Sequence, residues 1–267
     1  VVLPADRTPS DCPVLSYQCA IDAMSSRCFP SYALRRGADL VGASVQAELL
    51  FIAAALADGW AVSIPDHEGV AGMWGAPYEA GFRVLDGLRA ALGHDELGLA
   101  PDPPVAMWGY SGGGLATGWA AEAAADYAPE LNVVGAVLGS PVVDPENVAR
   151  RLNGSMWAGL AALMVASLVH VFPEAQSVVD EHATAEGKEL LTEIEGMSTG
   201  EAIHRLRHAD IATFVDLTDL YEVPMSAPVL REATERIMAA ITRELEVLRG
   251  EKAPETRFDS RQHGVPV

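Results

Sequence analysis

Gly109-Tyr110-Ser111-Gly112-Gly113 follows the apolar run Pro104-Val105-Ala106-Met107-Trp108 and opens a segment, residues 114–127, whose composition predicts a helix. Strand, G-x-S-x-G and helix, in that order, make a nucleophile elbow. The turn holds the central serine in a strained backbone conformation, with its hydroxyl exposed at the carboxyl edge of a sheet. Glycines two before and two after remove the Cβ atoms that would keep strand and helix apart. The next N–H, that of Gly112, then lies at a helix N-terminus, where the dipole favours developing negative charge. The alternative is a Gly/Ser-rich turn without chemistry, and the strand before and helix after favour the elbow. Ser111 is therefore the expected nucleophile and the Gly112 N–H an expected oxyanion donor.

Outward from the elbow, apolar runs rich in β-branched or aromatic residues occupy 13–18, 60–65, 105–110 and 132–140. None alternates cleanly, which suits strands buried on both faces of a parallel sheet. Helical patterns fill 44–57, 77–92 and 114–127 between them, with Gly59 and Gly93 at expected stops and Pro129 after the third. This alternation predicts an α/β fold with a doubly wound, mainly parallel sheet, its core over residues 1–145. After Pro141 the character changes. Residues 146–250 contain no strand-like run and predict a helical cap, with helices over 157–172, 185–195, 199–207 and 230–248. Residues 251–267 are polar with two prolines and are expected to be poorly ordered.

Composition narrows the function classes. At 267 residues and 49% apolar, the chain can bury one large domain carrying an insertion. Its 18 Lys plus Arg stand against 37 Asp plus Glu, so a net charge of −19 opposes nucleic acid and anionic lipid headgroups. Three cysteines, Cys12, Cys19 and Cys28, leave open both a Cys19–Cys28 bridge and buried free thiols. No CxxC or His/Cys cluster points to a metal, and no cofactor is expected. The first residues show no signal-peptide pattern. Residues 154–172 approach the length of a membrane span. Ser155, Ser167, His170 and the Ala/Gly content make them a buried or lipid-facing cap helix instead.

At this point the sequence resembles the secretory lipase family, the lipase A-like branch of the α/β-hydrolases. The matching stretches are VLSYQCAID (14–22), WAVSIPDHEG (60–69), VLDGLRAAL (84–92), PVAMWGYSGGGLATGWAAE (104–122) and YAPELNVVGAVLGSPVVD (127–144). Weaker similarity runs through NVARRLNGSMWAGL (147–160). The resemblance implies an α/β-hydrolase with a helical cap, hydrolysis of triacylglycerols and other carboxylic esters, and secretion. Ser111 would be the nucleophile. Asp66 of PDHEG would match the family's oxyanion aspartate beside the Gly112 N–H, a role that requires a protonated carboxyl. A strand-end or helix-capping aspartate is the alternative for Asp66. A backbone N–H near Ile21 and Asp22 is another candidate donor.

His67 and Glu68 read as structural hydrogen-bonders, His67 also as a weak catalytic candidate. His170 reads as a packed or surface residue. Tyr110 is expected to pack behind the nucleophile. Trp74 and Trp157 are candidates to line an acyl pocket, whereas Trp108 and Trp119 read as core. In this fold the triad order is Ser, Asp/Glu, His. His170, His182, His204, His208 and His263 follow Ser111, none after a strand-like run, and Asp259 and His263 share one polar tail. The triad Asp and His are therefore expected outside these residues, in a longer lipase of which this is an interior piece. The alternatives are an inactive homologue that binds lipid, recruitment of another histidine, and a peptidase or polyester hydrolase on the same fold. Oligomeric state is not legible.

Overall fold

The computed structural model describes residues 1–216, except 41–43 and 77, together with Lys252. The expected helix at 230–248 lies outside the described residues, as does the tail from 251 apart from Lys252.

Four strands form one sheet: β1 (Val14–Gln18), β2 (Ala61–Ser63), β3 (Val105–Tyr110) and β4 (Val133–Gly139), in the order β2-β1-β3-β4. All pairings are parallel, with Val14 opposite both Ala61 and Val105, and Tyr110 opposite Gly139. Helices α1 (Pro30–Ala33), α2 (Ser44–Ala47) and α3 (Leu49–Ala57) lead from β1 to β2. Then α4 (Glu79–Leu92) leads to β3, and α5 (Gly112–Tyr127) leads to β4. The expected 44–57 helix is broken at Glu48. Its carboxylate turns inward to accept the Tyr17 hydroxyl at 2.6 Å and the Ala20 N–H at 2.9 Å.

Both faces of the sheet are covered. Leu15, Tyr17 and Val62 pack with Ile52 and Ala55 of α3. Met107 packs on the other face with Val84 and Leu85 of α4 and Ala120 of α5. The chain builds β2 on one side of β1 and then crosses to β3 on the other. The loops after β1 and β3 therefore diverge at a topological switch point, where open α/β sheets place ligands. β4 is the outer strand on this side, and Val134 and Val137 are each 61% exposed.

After β4 come α6 (Pro145–Leu152), α7 (Ala158–Val171), α8 (Pro173–His182), α9 (Ala185–Ile194) and α10 (Thr199–Arg205). Asp144 caps α6 by accepting the Asn147 N–H at 2.9 Å, and Ser198 with Glu201 forms a capping box on α10. These helices build a core around α7 that is shared with Leu115 and Trp119 of α5 and with Trp74. Ala158, Ala161 and Leu163 are fully buried there with Ile194 and Ala202. Gly159 lets α7 meet α10, because a Cβ there would lie 2.2 Å from the Ala202 carbonyl oxygen. Among the described residues no helix is long and apolar enough to cross a membrane. Leu163→Ala should cost about 3.5 kcal/mol, the middle of the range for a buried leucine. Urea unfolding checks this, and a loss below about 1 kcal/mol would remove Leu163 from the core.

Candidate active site

The switch point is where the chemistry collects. Ser111 has φ 54 and ψ −119, a conformation that costs a non-glycine residue energy and survives where its surroundings over-determine it. Here the Ser111 N–H donates to Gly139 O at 2.8 Å, and Ser111 O accepts the Leu115 N–H at 3.0 Å. The glycines are demanded by close approach. A Cβ on Gly109 would lie 2.2 Å from Gly113 O, and one on Gly113 would lie 1.9 Å from Gln18 O. Helix α5 starts at Gly112, two residues before the sequence pattern suggests, so Ser111 is its N-cap and the Gly112 N–H is unpaired within the helix.

Two side chains from elsewhere rest on Gly112. A Cβ there would lie 1.8 Å from Asp22 Oδ1 and 3.0 Å from Trp74 Nε1. Asp22 follows β1, has φ 46, and donates its N–H to Glu68 Oε1 at 3.0 Å. The residue is only 5% exposed, and its Oδ1 has no hydrogen-bond partner. Burial, and then the charge of Glu48, pushes the Asp22 carboxyl up to about 7. Burial, and then the charge of Asp22, holds Glu68 well above its ordinary value. A carboxyl kept protonated in this way has an O–H to donate.

Asp66, expected at the oxyanion, is engaged differently. It is only partly buried, and its two carboxylate oxygens accept the Ser31 N–H and the Ser31 hydroxyl in the first turn of α1. A carboxylate used twice as an acceptor caps a helix, so the structure corrects the expectation and sets Asp22, not Asp66, on the elbow. Both are acids in strand-end loops, and burial against Gly112 separates them. The signal available in the sequence was the position of Asp22 directly after the apolar Cys19-Ala20-Ile21.

The other expected residues fall as follows. His67 is buried, which lowers its pKa to about 4. The neutral ring donates from Nε2 to Cys19 O at 2.8 Å, since a carbonyl can only accept. His170 is exposed in the last turn of α7. Tyr110 is 53% exposed rather than packed behind Ser111, because it closes β3, past Ala106 and Trp108, which are covered on the same face of the sheet. Trp157, just before α7, is 45% exposed. Cys12, Cys19 and Cys28 are all buried free thiols, so no Cys19–Cys28 bridge forms. No group of metal-ligating side chains occurs among the described residues. Among these same residues no side chain hydrogen-bonds the Ser111 hydroxyl, and Asp259 and His263 lie outside them.

The helical layer is tied to this site by two buried hydroxyls. Thr199, opening α10, reaches Ile21 O at 3.1 Å and Asp22 O at 3.3 Å. Ser167 of α7 reaches Trp74 O at 2.6 Å and Gly72 O at 3.3 Å. Thr199→Val keeps the shape and strips the donor, which should cost about 1–2 kcal/mol. Amide exchange of residues 19–23 should rise more than that of β3. Uniform acceleration across the sheet would show that Thr199 merely stabilises the whole fold.

Comparison with known proteins agrees with this geometry. The secretory lipase family profile matches residues 34–235. A Mycobacterium tuberculosis protein named "Probable inactive lipase MT1628" is 57% identical over 227 residues, 84% of this chain and 51% of its own length. Lipase A of Arthroderma benhamiae is 41% identical over 174 residues, 63% of this chain and 37% of its own. The crystal structure of Candida antarctica lipase A superposes with a TM-score of 0.74 at 31% identity, over 86% of this chain and 54% of that one. The chain thus spans about half the length of the relatives it matches, or less. A profile covering β2 to β4, the elbow and the helical layer together places the chain in the secretory lipase family, to which it belongs, on the α/β-hydrolase fold.

Proposed function

We propose that this chain carries the nucleophile and oxyanion pocket of a serine carboxylic-ester hydrolase, acting on triacylglycerols or simpler esters. The observation that carries this reading is the strained Ser111 elbow with the Gly112 N–H beside the buried Asp22 carboxyl. Ser111 Oγ attacks the ester carbonyl carbon and gives its proton to a base. The carbonyl oxygen takes the negative charge and accepts hydrogen bonds from Gly112 N–H and the Asp22 O–H. Collapse expels the alcohol and leaves an acyl-Ser111, which water then hydrolyses. The base and its acidic partner come from outside the described residues. The helical layer after β4 acts as the cap, with Trp157 and the α7 surface along the acyl path. Secretion is proposed on family membership and on relatives such as the Malassezia furfur protein named "Secreted triacylglycerol lipase LIP2".

A second reading has one specific observation in its favour: the 57% identical relative is named as probably inactive. In that reading the pocket binds lipid without turnover. A fluorophosphonate probe with mass-spectrometric mapping separates the two. An adduct on Ser111 together with hydrolysis of p-nitrophenyl esters supports the enzyme. Fatty-acid binding with neither adduct nor turnover supports the binder. Turnover of amides in preference to esters of any acyl length would turn the assignment towards a peptidase.

A further inference from the structure

The Trp74 indole N–H has no role in the pocket as described so far. An indole nitrogen donates and never accepts. A buried donor without a partner costs stability, so such groups call for an explanation. Trp74 is 5% exposed, and its Nε1 has no hydrogen-bond partner. It is not free to turn elsewhere. Its backbone N–H donates to Gly72 O at 2.8 Å and its backbone carbonyl accepts from the Ser167 hydroxyl. Gly72 has φ +60 and packs so closely on the Asp22 loop that a Cβ would lie 2.4 Å from Met24 Cα. The indole is thereby presented at Gly112, where Asp22 Oδ1 is also unpaired. Two unpaired buried polar atoms from different loops thus converge on Gly112, next to Ser111, where the lack of a side chain lets both approach the backbone.

We propose that the Trp74 indole N–H is a third hydrogen-bond donor of the oxyanion pocket, and that the same three donors hold a carboxylate oxygen of a free fatty acid. The proposal rests on the hydrolase-like reading of the pocket but not on turnover. Trp74, Gly112 N–H and protonated Asp22 all donate, so the atom that satisfies them is an oxygen that accepts several hydrogen bonds. A carbonyl oxygen becoming an oxyanion fits this description, and so does one oxygen of the acid product.

The test uses the whole chain labelled with ¹⁵N-tryptophan and titrated with octanoate. The five indole N–H resonances are resolved by single Trp→Phe variants. The Trp74 resonance should move downfield and saturate, in the wild type and equally in Ser111→Ala, while those of Trp60 and Trp119 stay put. Trp74→Phe, checked for folding by circular dichroism, should bind octanoate about ten-fold more weakly, the equivalent of one charge-assisted hydrogen bond. Octanoate binding with an unmoved Trp74 resonance would overturn the proposal, as would no octanoate binding at all. The wild-type titration decides even if the Phe variant misfolds. A Ser111 adduct is scored separately, so failure here leaves the nucleophile assignment standing.

Discussion

Ser111→Ala is expected to abolish fluorophosphonate labelling and to lower ester turnover by about a million-fold, the scale seen when a triad serine is removed. The elbow leaves this side chain little other purpose. Its hydroxyl has no partner among the described residues, and its backbone is held at φ 54, a conformation that costs a non-glycine residue energy. Alanine accepts the same backbone no worse than serine, so the fold should be unchanged, and thermal unfolding provides that control. What survives is binding and oxyanion stabilisation, worth about a thousand-fold over water in related triads. Turnover within ten-fold of wild type, or an adduct mapped to another serine, would remove Ser111 from the mechanism.

Asp22→Ala should lower kcat by about a hundred- to a thousand-fold, the usual loss for one oxyanion donor, with far less change in KM. Asp22→Asn keeps a donor of similar size and should lose less. The pH profile separates a donor from a structural carboxylate. The groups facing Asp22 are Glu48 and Glu68, both acidic, and His67 lies next to Glu68 as a neutral ring. Burial and the Glu48 charge raise the Asp22 pKa to about 7, so the donating form prevails below that pH and is lost above it. Wild-type kcat should therefore fall on the alkaline side of about pH 7 through this group, and Asp22→Asn should lack that limb. Stability follows the same sign. A carboxyl whose folded pKa is raised binds its proton more tightly when folded. Its contribution is complete below the unfolded value and is lost as pH rises through about 7. Asp22→Asn should accordingly gain stability over wild type at pH 8 more than at pH 4. An unchanged profile in Asp22→Asn would reduce Asp22 to a loop residue.

Sequence and structure divide along a physical line. Whatever depends on neighbours in the chain was legible: apolar runs without alternation, helices between them, and the five-residue elbow. Its glycines are required by atoms only a few residues away, as Gly109 is by Gly113 O, or by the adjoining strand, as Gly113 is by Gln18 O. Shorter helices such as α6 and α8 escaped notice because their amphipathic pattern is brief. The break at Glu48 escaped because it is made by Tyr17 and Ala20, from a different element.

Which acid meets the elbow was not legible. Asp22 and Asp66 are both carboxyls just past a strand. Chain position alone cannot say that Ser31 occupies both oxygens of Asp66 while Asp22 is buried, unpaired and beside Gly112. Likewise Trp74 read as pocket lining, and only the packing of its loop on Met24 and Ser167 brings its indole N–H to Gly112. The sequence by itself determined the fold and the serine elbow, because both are written in local spacing and the burial that spacing demands. The side chains that meet Gly112, those of Asp22 and Trp74, were decided by tertiary structure. They come from loops after β1 and β2 that meet only when the sheet is assembled, and their protonation and pairing depend on the water that meeting excludes.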